Sequence, residues 1–309
     1  MTWSLRHVRP EELARWTGFR NARSAWPVST PVLIARDGPA DLHRRLIVES
    51  GTGLAGIGDV VVVDQGAHLQ NHARLVVACS KRLPVSWRTA LIGELLDRAA
   101  ALGVSVVWLA CPSRHVRLLA ASLLDLGLVA AESTVVFRLD LRSMQPAAVG
   151  GPHAGYEIVP FTDLDSPARR RELTTLVNEV AADVPTGAQW TYDDGGLDTY
   201  WFRSAAAIPE AVTVAVNGRR IVGVTALGRT TRRSAEVLIT GVLPEHRGRG
   251  VARALKIRSS VAARDRGVTL VFTENETDNE LMRNLNESLG FVAVGAVLAF
   301  RGSSLGRPA

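Results

Sequence analysis

The run Arg247-Gly248-Arg249-Gly250-Val251-Ala252 is where residue types and spacing point most directly to chemistry. Two arginines alternate with two glycines. They stand just before Ala252-Arg253-Ala254-Leu255-Lys256-Ile257, which reads as a helix body, and after Val237-Leu238-Ile239-Thr240-Gly241, which reads as a strand. A strand, a basic glycine turn and a helix N-terminus together make an anion site. The first N–H groups of a helix lack internal acceptors, the helix dipole is positive there, and glycine lets the backbone approach a phosphate. Arginine adds charge and paired donors. A P-loop is excluded because no Gly-Lys-Ser or Gly-Lys-Thr follows. A dinucleotide fingerprint fits poorly. Arg253 stands where a third small residue is needed, and the turn lies late in the chain.

The elements that must position this turn continue downstream. Val268 to Thr273 is apolar and β-branched, so a strand is expected. Asn279 to Asn286 reads as a helix, with Leu281, Met282, Leu285 and Leu289 on one face. Gly290 in Leu289-Gly290-Phe291 suits a left-handed helix end, and Val292 to Phe300 reads as a last strand. The pattern Arg-Gly-x-Gly-x-Ala, this order of elements and the terminal Leu-Gly-Phe together resemble the second half of a GNAT acetyltransferase domain.

That resemblance implies acetyl-coenzyme A as acyl donor, its diphosphate cradled by Arg247, Gly248, Arg249, Gly250, Val251 and Ala252. It also implies two central parallel strands that splay apart around the thioester arm, here Ala235 to Leu243 and Val268 to Thr273. Unpaired backbone groups around Gly241, Val242 and Leu243 would then bond the arm and polarise the thioester carbonyl. Asn279 matches the family's pantetheine-contacting amide, with Asn275 and Asn286 as further contacts; Asn279 alternatively caps its helix. Glu236, at the start of the central strand, is the expected general base, with a solvated strand-end charge as the alternative. Family members often place a tyrosine acid four residues before the terminal glycine. Here that residue is Asn286, which supplies no proton at neutral pH. Solvent, Tyr192 or Tyr200 would have to substitute, or proximity alone would have to suffice. Lys256 would reach a phosphate or stand exposed on its helix, and His246 would line the diphosphate rim.

From Glu172 to Trp201 the chain has six acids and no Lys, Arg or His, with four aromatic residues among them. Such a segment either lines a cleft for a cation or supplies helix caps and solvated faces. The first alternative makes Asp183, Trp190, Asp193, Asp194 and Trp201 acceptor-binding residues. It makes the acceptor a small cationic amine.

The chain has 309 residues, 47% hydrophobic, with a net charge of +6. The length suits two domains. No apolar run is long enough to span a membrane, and Met1 to Arg6 lacks a signal-peptide core. Cys79 and Cys111 lie in apolar strand-like runs and are expected as reduced core residues of a cytoplasmic protein. Lysine occurs only at Lys81 and Lys256, and the arginines are scattered without interleaved aromatics, so nucleic acid is not the expected partner. No metal site is expected. The Gly-, Pro- and Ala-rich residues 144–154 read as a linker between a first domain, 1–143, and a second, 155–309.

The halves share a pattern. In the first, a helix from Trp87 to Leu102, the strand Val104 to Ala110 and a helix from His115 reach Leu126-Gly127-Leu128, and Val135-Val136-Phe137 starts a closing strand. The whole is similar to tandem GNAT proteins of the mycothiol synthase type. The implied fold is α+β, two tandem GNAT-like domains, each a mixed twisted sheet flanked by helices. The first copy has Leu83-Pro84-Val85-Ser86-Trp87-Arg88 where the second has its glycine turn, and Val116 where the second has Asn279. It is therefore expected to be degenerate and to hold no coenzyme A. The expected function is N-acetyl transfer by a monomer or homodimer. The alternatives are an acyltransferase, hydrolase or decarboxylase acting on another acyl-coenzyme A, and a non-catalytic coenzyme A binding scaffold.

Overall fold

A computed structural model describes residues 2–24, 27–29, 32–33, 45–64, 67–69, 71–144, 155–184 and 190–304, without the side chains of 63–64, 67–69, 190 and 194. The main strands are β1 (Trp3–His7), β2 (Leu46–Ser50), β3 (Gly53–Val61), β4 (His72–Cys79), β5 (Val106–Pro112), β6 (Val129–Asp140), β7 (Glu157–Pro160), β8 (Thr213–Asn217), β9 (Arg220–Thr231), β10 (Ser234–Val242), β11 (Leu270–Glu276) and β12 (Val292–Ser303). The helices are α1 (Leu13–Asn21), α2 (Val85–Ala101), α3 (Val116–Asp125), α4 (Pro167–Ala181), α5 (Asp194–Asp198), α6 (Val251–Asp265) and α7 (Glu280–Ser288).

The chain forms two compact units. One comprises Met1–Asp64, Leu69–Val135 and Gly295–Ala309; the other comprises Gln65–His68 and Val136–Val294. In the first unit the strands run β1-β2-β3-β4-β5-β12. β4 and β5 are parallel, and the other pairs are antiparallel. The amphipathic helix α2 buries Leu91, Ile92, Leu95 and Leu96 against Leu46, Leu75, Val107 and Leu109. In the second unit the order is β6-β11-β10-β9-β8-β7. β10 and β11 are its parallel pair. Helix α4 starts as Ser166-Pro167 dictates: the Ser166 hydroxyl accepts the Arg169 N–H at 3.3 Å, and Pro167 occupies the first turn, where no N–H is needed.

The closing strands correct the expected division into 1–143 and 155–309. Val297 to Ser303 of β12 pairs with β5 in the first unit. Val136 to Asp140 belongs to the second unit beside β11, where Leu141 N–H also bonds Thr269 C=O at 2.9 Å. The apolar content of a closing strand carries no information about which sheet receives it. All but the first residue of the expected linker, 144–154, lies outside the described residues. Among the described residues no helix is long and apolar enough to cross a membrane. Cys79 and Cys111 are buried free thiols, each pushed up to about 12 by burial.

Candidate active site

The second unit has a fork in its sheet. β10 and β11 pair only through Ser234–Leu270, Ala235–Val271 and Glu236–Phe272. One residue later the register of β10 against β9 shifts: Leu227 faces Val237 and Ala226 faces Ile239, leaving Leu238 as a bulge. A bulge bends and over-twists its strand, which here turns β10 away from β11. Beyond it the Leu243 N–H bonds Val222 C=O at 2.9 Å. Hydrogen-bonded pairs alternate along an antiparallel ladder, so the backbone of Gly241 and Ile239 faces β9. The backbone of Val242 and Thr240 faces the fork.

This refines the expected trio of arm-binding groups. Leu243 N–H is engaged with Val222, and Val242 C=O accepts the Arg247 Nε at 2.8 Å. Gly241 has a packing role: a Cβ there would stand 2.5 Å from Val180 of α4. Thr240 and the Val242 N–H are the groups directed into the opening, a detail that depends on the bulge and has no sequence signal.

The loop at the end of β10 has the conformation its glycines allow. Gly248 and Gly250 have φ of 72° and 74°, a left-handed region open to glycine at no steric cost. Gly250 is the N-cap of α6 and offers no side-chain cap. Among the described residues, the N–H groups of Gly248, Arg249, Gly250, Val251 and Ala252 have no acceptor. A concave run of free N–H groups at the positive end of a 15-residue helix fits a diphosphate. Arg247 is bound within the chain, to Val242 C=O and to the Asp183 carboxylate, so it braces the loop. Arg249 is exposed, with one contact to Glu245 C=O at 3.3 Å, and is free to meet an anion. His246 is fixed at the rim by the Tyr156 hydroxyl, 2.9 Å from its Nδ1.

The three asparagines separate into two roles. Asn279 caps α7, its side chain accepting the Met282 N–H at 3.2 Å. Asn286, fully buried in α7, donates its Nδ2 to Asn275 Oδ1 of β11 at 2.5 Å, and its own Oδ1 is buried without a partner. Lys256 is neither on the loop rim nor exposed. It is buried in α6, with its ammonium 5.4 Å from the Phe291 ring, and burial pushes its pKa down to about 7. Glu236, 4% exposed, sits on the last paired rung of the fork, where the two strands part.

The acidic stretch is largely engaged. Asp183 pairs with Arg247. Asp193 caps α5 through the Gly196 N–H at 2.5 Å. Asp198 pairs with Arg203 at 2.7 Å and with Arg170, and Glu172 with Arg169 at 2.6 Å. Tyr192, Tyr200 and Trp201 are buried, and Tyr192 packs edge-on to Trp201 at 5.7 Å. These aromatics pack in the core beside α4, where the Asn178 amide also bonds the Tyr192 backbone. The bonding arginines lie outside the stretch, so counting charges within it could not find them. The side chains of Trp190 and Asp194 lie outside the described set.

Residues 176–291 match the model of the Acetyltransferase (GNAT) family. No curated protein matches the sequence. Among solved structures, a GCN5-related N-acetyltransferase from Sphaerobacter thermophilus superposes with a TM-score of 0.76 at 17% identity, covering 99% of this chain and 96% of that one. A tandem GNAT protein from the clavulanic acid biosynthesis pathway gives 0.70 at 18%, covering 99% and 100%. A GCN5-related N-acetyltransferase from Kribbella flavida gives 0.58 at 15%, covering 95% and 96%. The chain therefore has the fold of tandem GNAT proteins, and the stretch that holds the fork and the loop matches the Acetyltransferase (GNAT) family model.

Proposed function

We propose that the second unit transfers an acetyl group from acetyl-coenzyme A to the amine of a small molecule. The observation that carries this reading is the fork between β10 and β11 leading to a loop of unpartnered N–H groups. The loop would hold the donor's diphosphate, with Arg249 adding charge. The arm would run along the open edge of β10, where Val242 N–H and Thr240 offer hydrogen bonds. Donors on that edge stabilise negative charge on the thioester oxygen as the amine attacks. The amine nitrogen bonds the carbonyl carbon, the carbon–sulfur bond breaks, and the amine proton passes to Glu236, directly or through water. Coenzyme A thiolate is a stable leaving group, so Asn286 in place of an acid is tolerable.

The acceptor is a small amine. The acidic stretch does not itself select a polycation, because Glu172, Asp183, Asp193 and Asp198 have partners within the chain. A screen of acetyl-coenzyme A turnover over an amine panel, with free thiol and product mass as readouts, tests the reading. Thiol release with an acetylated amine is expected. Thiol release without any amine would instead indicate a hydrolase. The buried Asn286–Asn275 contact favours one competing reading, a coenzyme A binding scaffold. Tight coenzyme A binding with no turnover on any amine would establish it.

A further inference from the structure

The first unit has a fork of its own. β4 and β5 are paired from His72–Val106 to Leu75–Leu109. Beyond that rung β4 continues beside β3 to Cys79, and β5 continues beside β12 to Pro112. Crevices at the carboxyl ends of diverging parallel strands are favoured ligand positions. Among the described residues no left-handed glycine lines this one: α2 starts at Pro84, without a side-chain cap.

Cationic side chains gather there instead. Arg23 follows α1, Lys81 and Arg82 follow β4, and Arg114 and His115 follow β5. Arg23 is held by Cys79 C=O at 3.2 Å and lies 3.7 Å over the Phe19 ring. Arg114 reaches Ser24 C=O at 2.9 Å, which draws the loop after β5 to the end of α1. Arg88, 8% exposed, spans Lys81 C=O at 3.2 Å and Leu118 C=O at 2.8 Å, and its Nε is buried without a partner. It thereby joins the first turn of α3, also uncapped, to the loop after β4. The groups feel one another. Burial, then Arg114, Arg23 and Lys81, push the His115 pKa down. Among the described residues none of the five cations Arg23, Lys81, Arg82, Arg88 and Arg114 has a carboxylate partner. Other cations of the same unit do: Arg6 with Glu12 and Glu49, Arg45 with Asp59, Arg98 with Glu94. Five cations with no counter-charge repel one another and hold the neighbouring His115 toward its neutral form, and an anion placed among them relieves that repulsion.

We infer that this crevice binds a small phosphate-bearing anion, separately from the acyl-donor loop. Guanidinium groups match phosphate oxygens with paired donors, and Arg23, Lys81, Arg82 and Arg114 come from the three segments that follow α1, β4 and β5. Without glycines the backbone cannot wrap a ligand, so charge on side chains sets the affinity and a compact, multiply charged ligand is favoured.

Calorimetric titration of the full chain with inorganic diphosphate at low salt tests this, with coenzyme A first added to saturation. One saturable diphosphate site is expected to remain. It should weaken at least tenfold in the double variant Arg82→Ala/Arg114→Ala and in Lys81→Glu, a single change at an exposed residue that serves if the double variant does not fold. Arg249→Ala, in the other unit, should leave it unchanged. Absence of a saturable site, an affinity within twofold of the parent in Lys81→Glu, or equal loss in Arg249→Ala would overturn the assignment. Citrate binding as tightly as diphosphate would overturn its phosphate character. The Arg249→Ala arm separates failure here from failure of the donor-loop reading.

Discussion

Single residues decide the loop. Gly250 holds φ of 74°, where a side chain costs about 1–2 kcal/mol of backbone strain and would intrude on the N–H concavity. Gly250→Val is expected to lower coenzyme A affinity at least tenfold while the melting temperature falls by only a few degrees. Calorimetry that finds the affinity intact would remove the loop as the diphosphate site. Lys256 gives a second test at this scale. Its folded pKa of about 7 lies below its ordinary 10.5. Between those values the unfolded chain keeps a proton that the folded chain has released, so this group makes stability rise with pH across the window. Below it both states are protonated and the buried ammonium costs most, on the order of a few kcal/mol. Lys256→Met should therefore stabilise the protein most near pH 6 and least near pH 10. A pH-independent difference in urea midpoints would contradict this account. The loop glycines were legible because only glycine fits their backbone. The burial of Lys256 was not, because its helix position alone suits an exposed side chain equally well.

At the scale of elements, the strand fork and the helices around it were largely legible. The expected helices Trp87 to Leu102 and Asn279 to Asn286 correspond to α2 and α7, and Gly127 and Gly290 both have left-handed φ after their helices. Periodicity records which face of an element is buried. It does not record how close two elements come. Gly241 shows the difference, for the closeness of α4 to β10 rests on Val180 filling the space a Cβ would need. Gly241→Ala should destabilise the second unit by about 1–3 kcal/mol, the usual range for overpacking. Val180→Ala in the same chain should recover much of it. Additive losses in denaturant unfolding would show that the two residues do not share this space. The acidic stretch was illegible for a related reason: Arg169, Arg170, Arg203 and Arg247, which pair with it, come from outside the segment.

At the scale of the whole molecule, the duplication read from sequence is real in pattern, but the compact units are not contiguous halves. The chain's last strand, Val297 to Ser303, completes the first unit's sheet on β5. Phe300 enters that unit's core, and the Ser304 N–H bonds Ser105 C=O at 3.1 Å. Removing this strand strips β5 of a partner and leaves its N–H and C=O groups to water or to another chain. A chain ended after Val294 is therefore expected to lose hydrogen-exchange protection first at Val106–Pro112 and to aggregate at lower temperature. The amides of β8, β9 and β10 should stay protected, because their pairings lie within Val136–Val294. Protection at Val106–Pro112 equal to the parent's would mean that β5 does not depend on the chain's end. Loss of protection in β8 to β10 ahead of β5 would mean that the two units unfold as one, and that neither half of the duplication is an independent folding unit.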